Sequence, residues 1–249
     1  MATDDIRFND IENCDELVLA ADEAHVWRFP LDRSPIAIPA LAATLDLQDQ
    51  ERAARLKDPA ARRAFVIAHG VMRYILSIYT KVAPRTLRFG AGEFGKPFLM
   101  LDGAPQFNLA HTRARAVLAV TQKAAIGADI ETLRDMPDLL RLARDHFSRT
   151  EYVHLVSLPQ DARMQAFHAC WTRKEAYIKA LGGGVSIDLK SFDVSLEPGA
   201  PAALLSVDGH DAAAREWTLR TFRFGADHVG AVAIAQPGMR MRGLNFPPL

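Results

Sequence analysis

Cysteine is nearly absent: the 249 residues hold only Cys14 and Cys170, far apart and in unrelated contexts. Neither a metal-binding cysteine spacing nor a disulfide framework can be built from two such residues, which fits a reducing compartment. Net charge is absent too, since 30 basic side chains offset 30 acidic ones. A generic nucleic-acid binder carries surplus Lys and Arg to neutralise phosphates, so that class is excluded, although a local basic pocket for a small polyanion is not. No apolar run approaches the ~20 residues needed to cross a bilayer. The acidic opening MATDDIRFNDIENCDELVLAAD lacks the continuous apolar stretch of a secretory signal, so a cytoplasmic protein without membrane attachment is expected. A G-x-x-x-x-G-K-[ST] phosphate loop is also missing.

What is present is ordinary for a globular chain: 49% hydrophobic and 24% charged residues exclude disordered and low-complexity classes. At about 150 residues per domain, the length gives one large domain or two modest ones. A strand is predicted at Ala24–Phe29, closed by Pro30 and Pro35, and helical sequence from Leu45 to Thr80, divided at Pro59. Phe65, Ala68, Val71, Met72, Ile75 and Leu76 make one apolar face of the longer helix. Strand-like segments follow at Leu87–Phe89, Gln106–Leu109, Ala116–Val120 and Ala125–Ile130. The second half repeats the plan, with a helical region from Met136 to Leu158, a long helix from Asp161 to Leu181 stopped by Gly182-Gly183-Gly184, three strands (Ser191–Leu196, Glu216–Phe224, Val229–Ala235) and a proline-ended tail. The expected fold is α+β, with two similar α/β subdomains, 1–123 and 124–249, meeting near the polar turn at Lys123.

Two segments carry chemistry. In Gly127-Ala128-Asp129-Ile130-Glu131, a strand would put both carboxylates on one face, close enough to share a hard cation, with Ile130 in the core; alone, so short a pattern also describes two solvated acids at a strand end. In Trp171-Thr172-Arg173-Lys174-Glu175-Ala176-Tyr177-Ile178-Lys179, helical spacing sets an aromatic, an acid and a cation on one stripe. The plainer alternative is a surface Glu175–Lys179 pair at i,i+4, worth a few tenths of a kcal/mol. His111 at a strand end, Lys96 in a turn and the basic run from Arg52 to Arg63 each admit a structural and a functional reading.

Taken in order, Phe94-Gly95-Lys96-Pro97, Asn108-Leu109-Ala110-His111-Thr112, Gly127–Glu131, Phe147-Ser148-Arg149-Thr150-Glu151-Tyr152 and Trp171–Lys179 resemble the motifs of 4'-phosphopantetheinyl transferases of the surfactin-synthetase-activating (Sfp) type, over roughly residues 50 to 195. The resemblance implies two similar α/β subdomains about a pseudo-twofold, with the active site in the cleft between them. It implies transfer of the phosphopantetheine arm of coenzyme A to a serine of an apo-acyl or apo-peptidyl carrier protein, releasing 3′,5′-ADP, by an enzyme expected to be a monomer. Asp129, Glu131 and Glu175 would hold Mg2+, with Mn2+ as a substitute. Glu175, or a water linked to the metal, would take the serine proton, and Lys179 would stabilise charge on the pyrophosphate and leaving group. Lys96 and His111 would contact coenzyme A phosphates, and Arg52 and Arg63 the nucleotide end. Ala110 departs from the hydroxyl residue usual there, which removes one side-chain hydrogen bond to the cofactor. A binding protein without turnover and another Mg2+-dependent phosphoryl transferase are the alternatives. A basic docking face for an acidic carrier could include Arg141, Arg144 and Arg149, though Asp138 and Asp145 interleave with them.

Overall fold

The computed structural model describes residues 5–11, 17–32, 37–197 and 199–247; Cys14 and Pro35 lie outside them. The chain runs β1 (Phe8–Asp10), β2 (Glu23–Pro30), α1 (Ala37–Ala42), α2 (Leu47–Arg55), α3 (Pro59–Thr80), β3 (Phe89–Ala91), β4 (Pro97–Leu99), β5 (Gln106–His111), β6 (Arg115–Thr121) and β7 (Ile126–Thr132). It continues α4 (Leu139–His146), α5 (Arg149–Ser157), α6 (Gln160–Leu181), β8 (Phe192–Val194), β9 (Leu204–Val207), α7 (Asp211–Ala214), β10 (Thr218–Arg223), β11 (His228–Ile234) and β12 (Arg240–Asn245). This is the expected α+β class. Proline opens α3, where its missing N–H costs nothing, and Asp58 caps it by accepting from Ala60 N.

Two sheets stand at the centre. One is ordered β1-β12-β2-β6-β5, the other β10-β11-β7. Alternation along β2 and β6 separates two cores. Trp27, Phe29, Leu118 and Val120 pack with the apolar face of α3, whereas Val26, Val117 and Ala119 face Ile126, Ala128 and Ile130 of the second sheet. A third core lies under α6, where Phe167, Cys170, Ala176 and Tyr177 meet Ala231 and Ala233. Burial pushes the Cys170 thiol up, as expected of a core cysteine.

Three readings of the sequence change here. The proline-ended tail contains β12, which lies between β1 and β2 and is parallel to both. The helical region from 136 to 158 is two helices, because Ser148 leaves helical geometry to cap α5 while Glu151 bonds back to the Ser148 N–H, a complete capping box. Strand β3 begins at Phe89, two residues later than expected, after a 3₁₀ turn at Pro84–Thr86. We propose residues 1–123 and 124–249 as the two halves of the architecture, with β12 returning from the second to complete the sheet of the first. Among the described residues, no helix is long and apolar enough to cross a membrane.

Candidate active site

Strand β7 and helix α6 supply four of the candidate side chains, and their backbones touch because residue 127 is Gly. A Cβ there would stand 2.1 Å from Ala176 O and 2.3 Å from Ala180 N. On β7, Asp129 and Glu131 share one face and Ile130 enters the intersheet core. On α6, Trp171, Glu175 and Lys179 recur every four residues along the half-buried stripe of the helix. Gly182, at φ 73°, closes the helix in the left-handed conformation that glycine adopts freely.

Asp129, Glu131, Glu175, Lys179 and His111 line one cavity of about 540 Å³. A second cavity, of about 570 Å³, shares Glu175 and Lys179 and has apolar walls from Phe94, Pro97, Ile178 and Ile187; Lys96 and Asn108 line it too. Five candidates thus meet in the charged cavity and Lys96 stands in its neighbour. Arg52 and Arg63, on α2 and α3, are exposed and line neither cavity. The Arg52 guanidinium lies 5.5 Å over the Phe65 ring, which stacks on His69.

Lys179 Nζ sits 2.5 Å from Asp129 Oδ1 rather than on Glu175, so the plain i,i+4 pair is not formed. Asp129 is 5% exposed, and its second oxygen, Oδ2, is buried with no hydrogen-bond partner among the described residues. Burial raises the Asp129 pKa against the pull of Lys179. Burial also raises Glu131 and Glu175, and the nearby Asp129 charge adds to both shifts. Three acids in one cavity, two of them raised by a neighbouring carboxylate and one with an orphaned oxygen, make a set of hard donors suited to Mg2+ or Mn2+. Among the described residues, no three such side chains are already gathered to metal-holding positions.

His111 donates from Nδ1 to Thr112 O at 3.0 Å, leaving Nε2 as the free ring nitrogen. Lys96 donates to Ile126 O and to Ala180 O, both at 2.9 Å, and burial lowers its pKa to about 8. Ala110 is packed in the intersheet core, an environment that suits its methyl. Sequence reasoning missed Arg113 and Arg134, which line the charged cavity. The available signal was position: each follows a strand-end candidate, by two residues after His111 and three after Glu131. Arg141 and Arg144 pair with Asp138 and Asp145 at 3.0–3.7 Å on an exposed face of mixed charge.

A cavity joining acids to cations at the meeting of two sheets has the charges that phosphoryl-group transfer uses. The sequence profile described as the 4'-phosphopantetheinyl transferase superfamily matches residues 125–233, which contain all three acids and Lys179. The 4'-phosphopantetheinyl transferase HetI of Nostoc sp. is 37% identical over 222 residues, covering 88% of this chain and 90% of its own. The 4'-phosphopantetheinyl transferase Sfp of Bacillus subtilis is 29% identical over 167 residues, covering 67% of this chain and 71% of its own. The chain belongs to the 4'-phosphopantetheinyl transferase superfamily and is a transferase of that kind.

Proposed function

We propose that the enzyme moves the 4'-phosphopantetheine arm of coenzyme A to a serine hydroxyl of an apo-acyl or apo-peptidyl carrier protein, with Asp129, Glu131 and Glu175 holding Mg2+. The observation that carries this reading is the buried, unpartnered Asp129 Oδ2 beside Lys179, in one cavity with the other two acids. Bound metal would neutralise the pyrophosphate and the charge that develops on it during displacement.

The chain's own groups account for the rest. Glu175, whose carboxyl is held above the usual range by burial, takes the serine proton as the serine oxygen attacks the β-phosphorus. The bond from that phosphorus to the bridging oxygen breaks, and 3′,5′-ADP leaves with the electron pair. Lys179, within reach of both cavities, stabilises the leaving phosphate. His111 lies beside the acids as a phosphate contact, and Lys96 has one N–H left for the neighbouring cavity. Arg52 and Arg63 would serve the nucleotide end from outside both cavities.

The test is intact-mass measurement of apo-carriers after incubation with the enzyme, coenzyme A and Mg2+. A gain of one phosphopantetheine arm, lost when the serine is replaced by alanine, is the expected result. Fatty-acid, polyketide and peptide carriers that all keep their apo mass would overturn the reading.

A further inference from the structure

Among the described residues, strand β7 is the edge of its sheet: it pairs with β11 on one side and has no ladder on the other. That open edge faces β5, and unpaired main-chain groups buried there need partners. Two side chains supply them. Lys96 Nζ takes Ile126 O, and Asn108 Oδ1 accepts the Ala128 N–H at 2.8 Å, between buried groups. Residues 126 and 128 point to the same side of the strand, so the two contacts pin one edge just before Asp129. Because β5 and β7 belong to different sheets, packing between them is non-directional, whereas the Asn108 bond fixes position. Chemistry also fixes the Asn108 amide: only its oxygen can accept from an N–H.

We propose that Asn108 is a positioning residue, which holds the strand bearing Asp129 and Glu131 in register with the end of β5 that bears His111. It acts on the metal-ligating acids through the Ala128 amide, and this rests on the assignment of those acids given above.

Two variants separate position from mere presence. Asn108→Ala removes the acceptor; Asn108→Asp keeps an isosteric acceptor whether or not it is protonated. Hydrogen exchange at the Ala128 amide requires no metal and reads the bond itself. Mn2+ affinity, counted by electron paramagnetic resonance at saturating coenzyme A without carrier, reads its consequence. Asn108→Ala is expected to speed Ala128 exchange and to weaken Mn2+ binding by about 10-fold or more, the range for partners that orient metal ligands. Asn108→Asp is expected to remain near wild type in both. Unchanged Mn2+ affinity in Asn108→Ala, or an Asn108→Asp variant as weak as Asn108→Ala, overturns the proposal. A wild-type enzyme that transfers normally while Asn108→Ala keeps its Mn2+ affinity defeats this inference alone. A wild type that leaves every carrier unmodified defeats the functional reading, while Ala128 exchange still tests the bond.

Discussion

Helix α6 carries two lysines five residues apart, each paired with an acid, and the two pairs are built differently. Lys174 is 0% exposed and uses all three of its N–H groups: on Glu151 at 2.8 Å, Leu189 O at 2.7 Å and Phe192 O at 2.6 Å. Glu151 is equally satisfied, accepting from Ser148 N and Val194 N as well. Lys179 donates to Asp129 at 2.5 Å, keeps a third of its side chain exposed, and leaves Asp129 Oδ2 without a partner among the described residues. A buried polar network that is complete holds structure together, whereas an unsatisfied carboxylate oxygen lining a cavity keeps an acceptor available to a ligand. The difference sets the closed Lys174–Glu151 pair apart from the pair on the same helix that we propose for the chemistry.

Substitution of Asp129 by Ala or Glu175 by Gln breaks the comparison most severely. Carrier modification should fall by about 10³-fold or more, from lost metal ligation and lost base, with the melting temperature nearly held. Next comes Lys174→Met, which leaves Glu151 buried and uncompensated; denaturant unfolding should show a loss of about 3–5 kcal/mol, partly regained in the Lys174→Met/Glu151→Leu double variant. A smaller contrast is expected from Lys179→Met. Stability should fall by less than in Lys174→Met, because Lys179 keeps a third of its side chain exposed and burial already favours the protonated form of Asp129, while the transfer rate drops about 10²-fold.

The smallest effect concerns Lys96. Its folded pKa, about 8, lies below the ordinary lysine value of 10.5, so the unfolded chain binds more protons between those values. Stability from this group is therefore lowest below pH 8 and rises as pH climbs toward 10.5. Lys96→Met should flatten that part of a stability–pH profile, and an unchanged slope would mean that burial of Lys96 does not govern it.

Much of this site was legible in the sequence because its signals are local. The Asp129–Glu131 alternation, the four-residue recurrence of Trp171, Glu175 and Lys179, and the Gly182 stop each follow from backbone periodicity. Partners that come from sheet order were not legible. Nothing within Arg240–Asn245 announces that β12 pairs with β2, more than 200 residues away. The same holds for Lys174, which in the sequence is one more cation in a charged motif; only the fold brings Glu151 and the Leu189 and Phe192 carbonyls around it. Lys96 shows the limit most clearly. A lysine beside a proposed phosphate site was expected to face the ligand, yet two of its donors go to main-chain carbonyls on β7 and α6.

The most direct test compares wild type with Asp129→Asn by intact mass of an apo-carrier, incubated with coenzyme A and Mg2+. The wild type is expected to add one phosphopantetheine arm, and the variant, folded and melting near the wild-type temperature, to leave the carrier at its apo mass. Modification by the folded variant at the wild-type rate would contradict it.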